Sequence, residues 1–159
     1  VSYSDFFGKQ FRIRGILFHA GNGGNGYADA VRESGLSEAA EHFVIADFTV
    51  SSGYHQMKEY CRRFGVPEAV ICATDRIAAG AVQCLHDMGF HVPQDVLVTG
   101  QGDSDMSEVT SPRLTTVHYN YEETGSLSAK QLLKLIDKEE EVSENTIMEY
   151  HLVEKESTL

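Results

Sequence analysis

The chain has 159 residues, an ordinary globular composition and a formal net charge of −11. This negative charge argues against direct nucleic-acid binding, which needs clustered lysines and arginines. No apolar run reaches membrane-spanning length, and the three cysteines lack the spacing of a metal site. We therefore expect a cytoplasmic protein in a reducing compartment, with no membrane contact and no bound metal.

Predicted strands and helices alternate along the chain. Strands are expected at 11–18, 42–47, 69–73, 96–98, 114–119 and 146–153, and helices at 27–34, 51–64, 76–88 and 122–136. Ser51 or Ser52 could cap the second helix, and Thr74 or Asp75 the third. The alternation predicts an α/β fold, a mostly parallel sheet with helices on both faces. In such sheets ligands bind beyond the carboxyl ends of the strands, which here include 74–75 and 101–104.

A glycine-rich loop follows the first predicted strand. Gly21, Gly23 and Gly26 match G-x-G-x-x-G, and Asp47 closes the next strand, a spacing typical of dinucleotide-binding enzymes. The same residues could form a flexible loop, and no Ser/His/Asp set or Cys/His pair accompanies them. We therefore expect that the chain is not an enzyme and binds no cofactor. The alternative interpretation is an NAD-binding Rossmann enzyme.

Five motifs follow one another along nearly the whole chain. They are Asp47-Phe48 with Ser52-Gly53-Tyr54 (D-F-x-x-x-S-G-Y), 74–81 (N-D-x-x-A-x-G-A), 92–96 (V-P-x-D-[VI]), 112–117 (P-x-L-T-T-[VI]) and 152–158 (L-V-x-R-x-S-T). In this order they resemble the lactose/galactose-repressor (LacI/GalR) family of sugar-responsive transcription regulators. The resemblance implies a periplasmic-binding-protein-like (type I) C-terminal subdomain at about 11–118 and 146–158. It also implies that the helix at about 119–140 normally packs on an N-terminal subdomain that is absent here, as is the DNA-binding domain.

The resemblance further implies a homodimer whose small-molecule effector, a sugar or sugar derivative, controls DNA binding by the absent helix-turn-helix. Phe48 stands at the family's ligand-stacking aromatic and Thr74 at a ligand-binding Asn, whereas Asp75 is expected to cap its helix. Further candidates for the effector site are Asn22, Asn25, Gln101, Gly102, Asp103, Tyr119 and Tyr121. Candidates for a two-fold dimer interface are Ala78, Ala79 and Val109.

Three departures from the family pattern concern the effector. Gly23 replaces an Arg, Gly102 an Asp and Thr74 an Asn, so the family's usual charged clamp is missing from this part of the site. The effector is therefore not identified by the sequence. A solute-binding protein of similar fold remains a second alternative.

Overall fold

The computed structural model describes residues 15–18, 29, 32–33, 43–137 and 146–159. Its sheet has the order β2-β1-β3-β4-β5-β6, with β6 antiparallel to β5 and the other neighbours parallel. The strands are β1 (Gly15–Phe18), β2 (Phe43–Val44), β3 (Ala69–Cys72), β4 (Leu97–Gln101), β5 (Thr115–Tyr119) and β6 (Tyr150–Val153). The helices are α1 (Val50–Phe64), α2 (Asp75–Asp87), α3 (Asp105–Val109) and α4 (Tyr121–Ile136). The predicted α/β fold with a mostly parallel sheet is confirmed.

The core lies between the sheet and the α1–α2 pair. All four residues of β3 are buried, as expected for a central strand covered on both faces. Ile77 and Leu85 on α2 and Met57 on α1 have no exposed surface. Burial of these large apolar side chains stabilises the lobe by roughly 1.5–3 kcal/mol each.

Glycine allows α1 and α2 to pack at close range. A Cβ on Gly53 would lie 2.3 Å from the Ile77 carbonyl oxygen, and one on Gly80 would lie 2.0 Å from that of Val50. Both distances are well inside van der Waals contact, so only glycine fits at the crossing. These two residues are the glycines of the S-G-Y and A-x-G-A motifs, which therefore have a packing explanation.

One of the two helix caps differs from the sequence predictions. Thr49, rather than Ser51 or Ser52, caps α1, since its Oγ1 accepts from the Ser52 N–H at 3.1 Å. Thr74 caps α2 by accepting from the Ile77 N–H at 3.3 Å. Asp75, the other candidate for this cap, is instead the first helical residue. Its carboxylate instead accepts hydrogen bonds from Ser104 and Thr116, as described below.

Two elements in the second half of the chain differ from prediction. The helix α3 was not predicted, because five residues carry too little periodicity to signal a helix. The strand β6 begins at Tyr150 rather than at 146, and the residues after it return to the sheet. Ser157 donates to the Val98 carbonyl at 2.6 Å and accepts from the Thr115 N–H at 2.8 Å. This final segment is thus bonded to both β4 and β5.

The helix α4 has no buried residue among those described. Its apolar side, which comprises Leu127, Leu132, Leu135 and Ile136, is half-buried at the first position and exposed at the other three. The described part of the chain therefore leaves this side uncovered. In the described residues no helix combines the length and apolar character that crossing a bilayer requires.

Candidate functional site

The carboxyl ends of β3, β4 and β5 lie side by side at one edge of the sheet. Register pairs Ile71 with Thr99 and Gln101 with Val117, so the loops that follow these strands are neighbours. Thr74, Gln101 and Tyr119 therefore lie at the same edge, as the sequence predicted from the parallel βαβ unit. We refer to this edge as the carboxyl edge.

A buried carboxylate joins the three strands beneath the carboxyl edge. Asp75 is 1% exposed. Its Oδ1 accepts from Thr116 Oγ1 at 2.6 Å, and its Oδ2 accepts from the N–H and Oγ of Ser104 at 2.7 and 2.8 Å. A Cβ at Gly100 would lie 2.3 Å from Oδ1, so glycine leaves room for the carboxylate. Three donors to one buried carboxylate make this a fully satisfied and rigid connection.

The loop 101–104 turns sharply above this carboxylate. Gly102 has φ +117° and Asp103 has φ +47°, so two successive residues adopt positive φ. The Gly102 N–H donates to the Val117 carbonyl at 2.9 Å, and its carbonyl accepts from the Tyr121 hydroxyl at 3.0 Å. Positive φ strongly favours glycine, which gives a backbone reason for Gly102 where the family has Asp.

Both oxygens of Asp103 are held by donors of the chain itself. Oδ1 accepts from Lys155 Nζ at 3.0 Å and Ser107 Oγ at 3.2 Å, and Oδ2 lies 2.9 Å from His118 Nδ1. Burial acts to raise the pKa of Asp103, but the hydrogen bonds from Lys155 and His118 outweigh it and hold that pKa below its ordinary value. Asp103 thus supports the loop from within, and its direct contact with an effector stays a prediction.

Lys155 provides the positive charge beneath the loop. It is 8% exposed, and its Nζ also donates to Ser107 Oγ at 2.8 Å and pairs with Glu108 Oε1 at 2.5 Å. Burial acts to lower the pKa of Lys155, but hydrogen bonds to Glu108 and Asp103 more than offset this and raise it. The ammonium is therefore charged and paired at neutral pH.

Two tyrosines give the carboxyl edge an aromatic surface. The rings of Tyr119 and Tyr121 are 6.0 Å apart with an interplanar angle of 73°, and Tyr121 is 58% exposed. The Tyr119 hydroxyl donates to Gln101 Oε1 at 3.0 Å. Burial raises the pKa of Tyr119, so its hydroxyl stays neutral. The structure thus brings together Gln101, Gly102, Tyr119 and Tyr121 from the predicted set.

The remaining predicted effector-site residues are Phe48, Thr74, Asn22 and Asn25. Phe48 lies between β2 and α1, on the loop that leaves the carboxyl end of β2, and is 52% exposed. Thr74 lies half-buried at the start of α2, with its hydroxyl oxygen engaged as the cap. Asn22 and Asn25 lie outside the described residues, together with the glycine-rich loop.

The predicted dimer-interface residues fall into two groups. Ala78 has no exposed surface because it packs in the core of its own lobe, and Ala79 is also buried. Ala79 keeps 7% of its surface exposed, and the contact of these two alanines with a second chain stays a prediction. Val109, at the end of α3, is 72% exposed, and its role at an interface stays a prediction.

Sequence reasoning missed the hydrogen bonds that support the carboxyl edge. Asp75, Ser104, Thr116, Lys155 and His118 form hydrogen bonds between segments far apart in the chain. A charged residue within the L-V-x-R-x-S-T motif was the one available signal.

In the part of the chain that the structure describes, no group of three or more His, Cys, Asp or Glu residues could hold a metal ion.

Comparison with known proteins identifies the family. Residues 18–158 match the periplasmic binding protein-like domain. The chain is 34% identical over 134 residues to the HTH-type transcriptional regulator RegA of Clostridium saccharobutylicum, covering 84% of this chain and 40% of that protein. It is 33% identical over 132 residues to the HTH-type transcriptional repressor PurR of Erwinia tasmaniensis, covering 83% and 39%. The chain thus spans about two fifths of the length of the curated relatives it matches.

Solved structures agree with the sequence relatives. A complex of the transcriptional regulator CelR with cellobiose superposes with a TM-score of 0.89 at 28% identity, covering 98% of this chain and 50% of that one. The lac repressor dimer bound to operator and the anti-inducer ONPF gives 0.82 at 25% identity, covering 91% and 52%. The chain therefore belongs to the periplasmic binding protein-like domains, and within them to the effector-binding domains of LacI/GalR regulators.

Proposed function

We propose that the chain is the effector-sensing part of a LacI-type transcription regulator and that its effector is a sugar or sugar derivative. The observation that carries this proposal is the carboxyl edge, where exposed aromatic rings stand beside neutral hydrogen-bonding groups. A sugar ring stacks its apolar face on aromatic side chains, while amides and hydroxyls bind its hydroxyl groups. Phe48, Tyr119 and Tyr121 offer the first kind of contact, and Gln101 and Thr74 the second.

The relatives support this choice of function. Both curated relatives are named as HTH-type transcriptional regulators or repressors, and the CelR structure holds a disaccharide. In our proposal the effector binds between this lobe and a second one and favours one arrangement of the two. That shift changes how a cytoplasmic homodimer presents its DNA-binding heads. The chain itself carries net negative charge, so DNA contact belongs to another part of the regulator.

Calorimetric titration of the full-length gene product with a panel of mono- and disaccharides, cellobiose included, tests the proposal. We expect saturable binding of at least one sugar, and a change in operator affinity when that sugar is added to a mobility-shift assay. Phe48→Ala should weaken the binding by about tenfold through the loss of ring stacking. Phe64→Ala is the matched control, since Phe64 is an exposed aromatic at the far end of α1.

Two results would contradict the proposal. One is the absence of saturable binding to every sugar in the panel. The other is saturable binding of NADH, followed by its fluorescence, which would favour a dinucleotide-binding enzyme instead. An equal loss of sugar affinity in Phe48→Ala and Phe64→Ala would contradict the placement of the sugar at the carboxyl edge.

A further inference from the structure

The loop 101–104 has a backbone that needs support. Asp103 adopts φ +47°, a backbone region that residues other than glycine rarely occupy, and it directly follows Gly102 at +117°. Such a conformation persists only where surrounding contacts hold it. The same loop presents Gln101 and the Gly102 carbonyl to the two tyrosines of the carboxyl edge. Whatever fixes Asp103 therefore also fixes the groups that face the proposed effector.

Lys155 is built to provide that support. An ammonium group has three hydrogens, and Nζ of Lys155 has three acceptors, on Asp103, Ser107 and Glu108. Its backbone is anchored to β5, since its N–H donates to Thr115 Oγ1 at 2.8 Å and its carbonyl accepts from the same hydroxyl at 3.0 Å. The Lys155 side chain thus extends from a fixed backbone and joins the loop 101–104 to the helix α3.

We propose that Lys155 is a positioning residue for effector binding, which acts through Asp103 by holding the loop 101–104 in its binding conformation. This inference rests on the proposed function. Lys155 is almost fully buried and all of its donors are used, so it does not contact the effector itself. Without it, Asp103 keeps only His118 and Ser107 as side-chain donors to its carboxylate. Two donors without the paired charge hold the loop less firmly.

Hydrogen exchange of the full-length gene product, without any ligand, tests the loop directly. In Lys155→Met the amides of residues 102–104 should exchange about tenfold faster than in the wild type, while those of α2 change by less than about threefold. Lys155→Arg should restore slow exchange, because a guanidinium also pairs with carboxylates and Arg stands here in the family motif. Lys58→Met, the same change at an exposed position on α1, should leave the loop unchanged.

Two results in Lys155→Met would overturn the proposal. One is an exchange rate of the loop amides equal to that of the wild type. The other is an equal acceleration of exchange in the loop and in α2, since this indicates only a general loss of stability. If Lys155→Met does not fold, Asp103→Asn removes the same charge pair from the other side. Its exchange is read in the same way, with fast exchange confined to the loop as the supporting result.

Titration with cellobiose then tests the link to the effector. We expect Lys155→Met to weaken cellobiose binding by about tenfold and Lys155→Arg to keep it within about threefold of the wild type. Wild-type affinity in Lys155→Met, despite a fast-exchanging loop, would overturn the effector role. If the wild type binds neither cellobiose nor any other sugar of the panel, the proposed function fails, and the exchange result alone decides whether Lys155 positions the loop.

Discussion

Substitution of Gly80 by alanine should destabilise the lobe, although alanine is the better helix former. The added Cβ would lie 2.0 Å from the Val50 carbonyl oxygen and 2.7 Å from the Tyr54 nitrogen, where ordinary contact begins at 3.4 Å. Both neighbours are backbone atoms of α1, so neither can rotate away. The two helices must therefore move apart, which disturbs the packing of α2 against the sheet.

The magnitude follows from two opposed terms. Overpacking of a close contact costs about 1–3 kcal/mol, and occasionally more. Alanine in place of a helical glycine returns about 0.5–1 kcal/mol. Because the clash at Gly80 is severe and backbone-to-backbone, we expect a net loss of about 2 kcal/mol. In a domain of this size that corresponds to a fall in Tm of roughly 4–8 °C.

Thermal and urea unfolding followed by circular dichroism measure this change. Gly125→Ala is the matched control, because Gly125 is also helical but a Cβ there meets nothing within 4 Å. We expect the control to be neutral or more stable by up to about 1 kcal/mol. If Gly80→Ala matched the wild type or behaved like the Gly125 variant, the close approach of α1 and α2 would not be real in solution.

Three further predictions address a cap, the thiols and the buried charge pair. Thr49→Ala should lower the free energy of unfolding by about 1 kcal/mol in urea titrations, since α1 loses its cap. Burial raises the pKa of Cys61 to about 11 and raises the pKa values of Cys72 and Cys84 as well. All three thiols should therefore react slowly with Ellman's reagent at about pH 8 until urea unfolds the chain. Asp103→Asn should be less stable than the wild type at neutral pH. Because the pKa of Asp103 is lowered in the folded state, this difference should shrink as the pH falls below the ordinary value of 3.8 and through the folded pKa.

Local signals along the chain determined the elements and their class. The apolar run at Ala69–Cys72 and the stripe of α2 predicted a buried strand followed by a helix, and both are present. The motif order carried the family resemblance, which the relatives confirm. The carboxyl edge followed from parallel pairing alone, because the ends of parallel strands meet at one side of a sheet. Element type, fold class and the position of the carboxyl edge were therefore accessible from the sequence.

Partners distant in the chain were decided only by the tertiary structure. Asp75 accepts hydrogen bonds from Ser104 and Thr116, which lie 29 and 41 residues away in the chain, and Asp103 accepts one from Lys155, 52 residues away. Such pairings depend on strand order and on the antiparallel return of β6, which no local pattern encodes. The same reason explains why Asp75 was read as a cap: its hydrogen-bond partners, Ser104 and Thr116, come from distant segments and not from its sequence neighbours, because packing brings those segments together.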